Sequence, residues 1–374
     1  MIRVHQLLRE LIALPSVNPA FVPAGHPRAG EQRVAEFLAS VAAQNGLDVE
    51  LQPVLPGRSN LLARLSPVKA RRRIVMAPHL DTVGGTDPQF KPVLRNGRIY
   101  GRGACDTKGS VAAMLAALIE VARSGRRPAD TEVILAGVVD EENAQAGSRA
   151  LAARGLKADL AIVGEPTRLK VVTAHKGNLW IRLETRGKAA HGSRPELGRN
   201  AVHLMARVVD AIETEYAAML RSRRHPLLGC ATASVGVIRG GTQPNIVPDH
   251  CVISIDRRTL PGETEAGVRR ELARLLAKRR LQVTFDEEKA APCPPMETDP
   301  ARPEVRRFMS SVGQRRALGV NFFCDAAVLS EAGIPSVVFG PGDIAQAHTA
   351  DEWISASSLE RGWRMLVHYL RSFP

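Results

Sequence analysis

Apolar positions in this chain recur at two spacings. Over residues 31–45, Val34, Phe37, Leu38 and Val41 fall near one face at helical spacing, and Gly46 ends the run. Short apolar runs at 60–65, 73–77, 132–139 and 160–163 have the length of strands. Between the second and third lies a helical stretch, 109–122, whose Val111, Met114, Leu115, Leu118 and Ile119 share one side. Strands alternating with helices in this way predict an α/β domain with a mainly parallel sheet.

The rhythm changes from residue 175 onward. An alternating strand at 179–185 is followed by a helix over 198–219, strands at 232–238 and 250–256, a helix over 263–278 and a strand at 281–285. That β-α-β-β-α-β order is the ferredoxin-like signature. The Pro-rich segment Ala291-Pro292-Cys293-Pro294-Pro295 closes it. The α/β pattern then resumes with a helix near 302–312, a strand at 336–339 and a final helix over 357–371. A larger domain, 1–174 and 287–374, is therefore expected to carry a smaller one, 175–286, as an insertion. No internal repeat or low-complexity tract is seen.

Composition changes this picture little. A length of 374 residues suits two domains, and 44% hydrophobic content can supply their cores. The formal charge of +13 permits nucleic acid, acidic lipid or anionic substrates as partners. The arginines are scattered, however, apart from clusters at 71–73 and 221–224, and no aromatic–basic alternation or zinc-finger spacing accompanies them. Solvated surface is the simpler reading, with no nucleic acid expected. The five cysteines lie far apart without a CxxC, which suits a reducing cytosol better than a disulfide framework. The amphipathic first twenty residues carry Glu10 and no signal-cleavage pattern, and no apolar run reaches the ~18 residues of a membrane span. A soluble, cytoplasmic protein is expected.

Acids and imidazoles cluster at five places. His79 and Asp81 follow the second strand, in PHLDTV. Asp106, in GRGACDTKGS, stands just before the 109–122 helix. Glu141 and Glu142 follow the third strand, in VVDEENAQAG. Glu165, in AIVGEPT, follows the fourth. His348 lies in GPGDIAQAHTADEW, beyond the 336–339 strand. The carboxyl ends of strands in an open α/β sheet converge on one crevice. Taken singly, each place reads as a turn, a helix cap or a solvated loop. Five together imply one concave site crowded with carboxylates, which repel unless cations compensate. A mixed nitrogen and oxygen ligand set suits zinc, with cobalt or manganese as substitutes. His79 is expected as a ligand with Asp81 holding its other ring nitrogen, and Asp106 can bridge two ions. Glu141 and Glu142, adjacent in an extended segment, would point opposite ways, one to metal and one to substrate as general base. Spacing alone does not say which. His5, His203, His225 and His250, on predicted helices or in basic surroundings, are read as structural.

Seven segments carry a family resemblance: APHLDTV, GRGACDTKGSVAAML, DEEN, GEPT, AAHGS, DRRTLPGE and GPGDIAQAHTADE. In this order the chain resembles the dinuclear zinc amidohydrolases, a group that includes acetylornithine deacetylase, succinyl-diaminopimelate desuccinylase, aminoacylase and glutamate carboxypeptidases. The resemblance implies a zinc-exopeptidase-like α/β catalytic domain with an inserted ferredoxin-like lid that also forms a homodimer. It implies that His79 and Glu165 hold one zinc, Glu142 and His348 the other, that Asp106 bridges them, and that Glu141 is the general base. His191, in AAHGS, would serve the substrate's oxyanion, commonly in the partner's site. Arg258 and Asn245 would contact the substrate's carboxylate or carbonyl, and Gly340 and Gly342 would let backbone approach the ligand. Thr107 departs from many relatives at a position that is not a ligand, and Asp325 matches a preserved position without an evident role.

The reaction so implied is hydrolysis of the amide of an N-acyl amino acid, in which a zinc-bridged water activated by Glu141 attacks the acyl carbonyl. Acetylornithine deacetylation is the first expectation, succinyl-diaminopimelate desuccinylation the second, and dipeptidase or carboxypeptidase activity the third. From a different class, a basic nucleic-acid-binding protein on a hydrolase scaffold would need a contiguous basic face. A member that has lost catalysis is opposed by the complete ligand set.

Overall fold

A computed structural model describes residues 3–287 and 292–374 of the chain. Its strands include β1 (Asp48–Leu55), β2 (Arg58–Leu65), β3 (Arg72–Pro78), β4 (Thr131–Gly137), β5 (Leu160–Gly164), β6 (Val172–His175), β7 (Gly177–Arg186), β8 (Thr232–Gly240), β9 (His250–Thr259), β10 (Thr284–Glu287) and β11 (Ser336–Val338). Its longer helices include α1 (Val4–Ala13), α2 (Gln32–Gln44), α3 (Lys108–Arg123), α4 (Ala146–Ala153), α5 (Ala201–Ala211), α6 (Glu265–Lys278), α7 (Pro303–Ser311) and α8 (Ala356–Leu370). No helix among the described residues is long and apolar enough to cross a membrane.

Two compact units emerge. The first comprises residues 1–173, 297–318 and 324–374, and the second residues 174–296 and 319–323. Ala291, in the Pro-rich segment expected to close the insertion, lies outside the described residues.

In the first unit the sheet runs β1-β2-β4-β3-β5-β11-β6. Its centre, β4-β3-β5-β11, is parallel, and the β1–β2 hairpin and β6 are antiparallel. The central strands are buried on both faces, β4 along its whole length. They therefore read in sequence as unbroken apolar runs. Helix α3 is buried nearly all round and packs between α1 and α8. Its Ala112, Ala113, Ala116 and Ala117 let the neighbouring elements come close. Strand β1 and helix α4 were not legible from periodicity. Strand β1 is largely half-buried, and α4 has only eight residues.

The second unit is a four-stranded antiparallel sheet in the order β8-β9-β7-β10. Helices α5 and α6 cover it with Met205, Val208, Leu272 and Leu276. Relative to the expected helix over 198–219, α5 begins at Ala201 behind an Asn200 cap. It continues through a π-turn at Ile212–Tyr216 into a last turn ending at Arg221.

Candidate metal centre

Strand register brings the predicted residues of the first unit together. Pro78 at the end of β3 pairs with Gly164 at the end of β5, so His79 and Glu165 leave adjacent strands at one level. On the other side of β3, His79 bridges to Val138, just past β4, which delivers the turn at 141–144 to the same place. Asp106 stands immediately before Thr107, the residue that caps α3, and the Asp106–Thr107 peptide is cis. His348 follows β11 and a short 3-10 turn at Ile344–Gln346, with a left-handed φ of 63°.

Asp106 lies between two imidazoles. Its Oδ1 is 3.1 Å from His79 Nε2, and its Oδ2 is 3.3 Å from His348 Nε2. Each imidazole meets one further carboxylate: Glu165 Oε1 at 3.8 Å from His79 Nε2, and Glu142 at 3.1 Å from His348 Nε2. His79, Asp106 and Glu142 also present ligand atoms all within 4.8 Å of one another.

The second layer differs from expectation in one detail. His79 Nδ1 lies 3.0 Å from the Asp81 backbone carbonyl, while the Asp81 carboxylate is at 3.4 Å. That carboxylate also accepts the amides of Glu141 at 3.1 Å and Glu142 at 3.0 Å, and the Asn18 side chain at 2.8 Å. The two glutamates accordingly sit in a turn rather than an extended segment. The turn starts at Asp140 with φ of 68°.

The electrostatics match a centre with too few positive charges. Burial pushes the Glu165 carboxyl well up, with Asp106, Asp325 and Glu142 adding to the rise against the pull of His79. Glu141 is pushed well up by burial too, and Glu142 is raised by burial despite its bond to His348. His348 is raised to about 10 by its bonds to Asp106 and Glu142. Burial lowers His79, but the bonds to Asp106 and Asp81 outweigh it and hold the ring well above its ordinary value. Asp106 is opposed by burial and still held low by the two imidazoles. Buried carboxylates pushed up beside imidazoles pushed up are groups in need of positive charge, which divalent cations would supply. The fit to metal is also direct: Glu165 Oε1 is buried without a hydrogen-bond partner, facing the imidazole nitrogen that Asp106 shares. Two imidazoles and three carboxylates, one of them central, form a donor set suited to two divalent ions.

The remaining predicted residues have other surroundings. Gly340 and Gly342 make room for the chain itself. A Cβ on Gly340 would lie 2.3 Å from Ser110 Oγ and 2.6 Å from the Glu165 carbonyl oxygen, and one on Gly342 would lie 2.7 Å from Cys105 Sγ. In the second unit, His191 is exposed with Nδ1 2.8 Å from Ser193 Oγ. The exposed Asn245 accepts from the Gly192 amide through its carbonyl at 2.7 Å. Arg258 is held by Asp256 at 2.7 and 3.1 Å, with its guanidinium 5.5 Å from the Phe323 ring centre.

Sequence reasoning missed Glu352 and Glu31 as supports and left Asp325 without a role. Glu352 accepts the amides of Gly103, Cys105 and Asp106 and pairs with Arg102 at 2.8 Å. Glu31 receives both arms of Arg58 at 2.6 and 2.7 Å. Asp325 is buried, raised to about 6 chiefly by burial, and receives the Ser148 hydroxyl at 2.6 Å. A partial signal existed for Glu352, since it lies in the same segment as His348.

Residues 75–372 match the model of peptidase family M20/M25/M40. The acetylornithine deacetylase of Edwardsiella ictaluri is 30% identical over 383 aligned residues, covering 98% of this chain and 97% of the relative. That of Myxococcus xanthus is 34% identical over 319, covering 81% and 80%. Among solved structures, the aminopeptidase PepT of Bacillus cereus superposes with a TM-score of 0.81 at 22% identity, over 99% of this chain and 98% of that one.

Proposed function

This chain belongs to peptidase family M20/M25/M40, and from that premise we propose that it deacylates an N-acyl amino acid, with N-acetylornithine as the substrate. It is a metal-dependent hydrolase acting on amides. The observation that carries the substrate assignment is the similarity to acetylornithine deacetylases along nearly the whole length of both chains.

His79, Asp106 and Glu165 would hold one divalent ion, and His348, Asp106 and Glu142 the other, with zinc as the metal and cobalt as a working substitute. Such ions, when bound, polarise the acyl carbonyl and lower the pKa of water toward ~7. Glu141 accepts a proton on its carboxylate from the attacking water. It returns that proton to the amide nitrogen as the C–N bond breaks, so the amine leaves neutral. Asp81 takes no part in proton transfer; its oxygens hold the amides of Glu141 and Glu142. To the second unit, in the role of a lid, we assign the substrate contacts. His191 donates to the oxyanion, and Arg258 and Asn245 bind the carboxylate and carbonyl. Strand β8, at the edge of its sheet with Val237 and Ile238 exposed, is the surface we assign to a homodimer. We place the enzyme in the cytoplasm.

The test is a substrate panel. Purified protein loaded with zinc or cobalt is given N-acetylornithine, N-succinyl-diaminopimelate and a dipeptide, and product amine is resolved by chromatography. The highest kcat/KM on N-acetylornithine is expected. A higher value on the succinyl compound or the dipeptide overturns the substrate, and no product from any of them overturns the reaction.

A further inference from the structure

Asn18 precedes Asp81 by 63 residues and Asp140 by 122, and it is fully buried. Its Nδ2 donates one hydrogen to Asp81 Oδ2 at 2.8 Å and the other to Asp140 Oδ1 at 3.0 Å. Its Oδ1 accepts from the Ala20 amide at 3.0 Å. That third bond fixes the orientation of the carboxamide. Reversed, its oxygen would meet two carboxylate oxygens and its NH2 would meet an N–H.

A closed ring of hydrogen bonds results. From Asn18 it passes to Asp81, from Asp81 to the amides of Glu141 and Glu142, along the backbone to Asp140, and through that carboxylate back to Asn18. The ring is braced from outside. Arg58 Nη2 lies 3.0 Å from Asp140 Oδ1, and Glu31, which binds Arg58 with both oxygens, accepts the Asp140 amide at 3.1 Å. Asp140 is held there in a left-handed conformation, φ 68°, which aspartate reaches more readily than most residues other than glycine. The glutamate pair hangs from the ring at its next two residues.

We propose that Asn18 is a positioning residue for the reaction: through Asp81 and Asp140, its carboxamide sets the direction in which Glu141 and Glu142 leave their turn. The proposal rests on the reading of Glu141 as proton acceptor and Glu142 as ligand. Among the side chains of this size, only a carboxamide offers one N–H to each of two carboxylates while accepting from an amide. Serine can serve one carboxylate, alanine neither, and aspartate would add a third negative charge to the two already buried there.

Three measurements on Asn18→Ala, Asn18→Asp and Asn18→Ser test this. They are steady-state kinetics with N-acetylornithine, bound metal, and hydrogen exchange of the 138–147 segment in metal-free protein. Asn45→Ala, at a half-buried residue that ends α2 and donates from its side chain to the Val41 carbonyl, controls for loss of an asparagine elsewhere. In Asn18→Ala, kcat should fall roughly 10–100-fold with KM changed by less than about two-fold, as for other supports of metal ligands. The Glu141 and Glu142 amides should exchange faster in all three variants, most in Asn18→Asp and least in Asn18→Ser, while Asn45→Ala matches the parent. A lowered thermal midpoint with kcat and segment exchange unchanged would make Asn18 merely structural and overturn the proposal. A parent enzyme that hydrolyses no amide sinks the reaction assigned above, whereas unaltered exchange over 138–147 sinks the tether, so the two failures are separable.

Discussion

Replacing Glu352 with glutamine perturbs the loop that carries Asp106 while leaving its shape intact. The carboxylate is fully enclosed and takes four donors. Cys105 N at 2.8 Å and Asp106 N at 3.0 Å reach Oε1, and Gly103 N at 2.9 Å and Arg102 Nη1 at 2.8 Å reach Oε2. In Glu352→Gln one oxygen remains for the first two donors. The other becomes an NH2 group facing the second two. Two bonds to a charged acceptor are lost, at ~1.5–3 kcal/mol each. Arg102, 4% exposed, keeps its bond to the Gly84 carbonyl but loses its counter-charge. Removing one member of a buried pair costs ~3–5 kcal/mol, and we expect a loss in that range. Urea unfolding of metal-free protein, followed by tryptophan fluorescence, reads this without a contribution from bound metal. Zinc competition with a chelator should show roughly 10–100-fold weaker binding, because the loop that carries Asp106 loses its anchors at Gly103 and Arg102. A destabilisation under ~1 kcal/mol would refute the idea that this charge holds the loop. So would strictly additive losses in Arg102→Met and Glu352→Gln, since members of one network couple.

Glu141→Gln should lower kcat by roughly 10²–10⁴-fold with bound metal near the parent's; survival of turnover would show that another group takes the proton. Gly340→Ala should destabilise the first unit by ~1–3 kcal/mol, read by the same unfolding assay, because the new methyl meets Ser110 and the Glu165 carbonyl and cannot be absorbed without backbone movement. His175 is fully buried, its Nε2 has no partner, and burial lowers it from 6.5 to about 4. Between those values the unfolded chain binds the extra proton and the folded one does not, so the stability from a neutral His175 falls as pH drops through this window. At about pH 5 the loss is ~2 kcal/mol, and a His175→Asn variant should show a correspondingly flatter acid limb in urea midpoints measured across pH.

Much of the first unit could be read along the chain because parallel strands buried on both faces leave unbroken apolar runs, and their ends are marked by a sudden carboxylate or imidazole. Runs before His79, Glu141 and Glu165 carried that signal, and the ordered motifs joined Asp106 and His348 to them. The inserted unit was legible because its period-two strands and amphipathic helices keep one face buried and one wet. What the linear order could not contain was the second layer. Asn18 with Asp81 and Asp140, Arg58 with Glu31, and Glu352 with the Asp106 loop are pairings across tens to hundreds of residues. Nothing local distinguishes such a polar residue from one that faces solvent. The difference arises only when packing removes water, and each buried donor and acceptor must then find its partner in the chain. The donor types at the candidate site were therefore determined by sequence at strand ends, while their aim was decided by the tertiary fold, which alone brings the holding groups within hydrogen-bond distance.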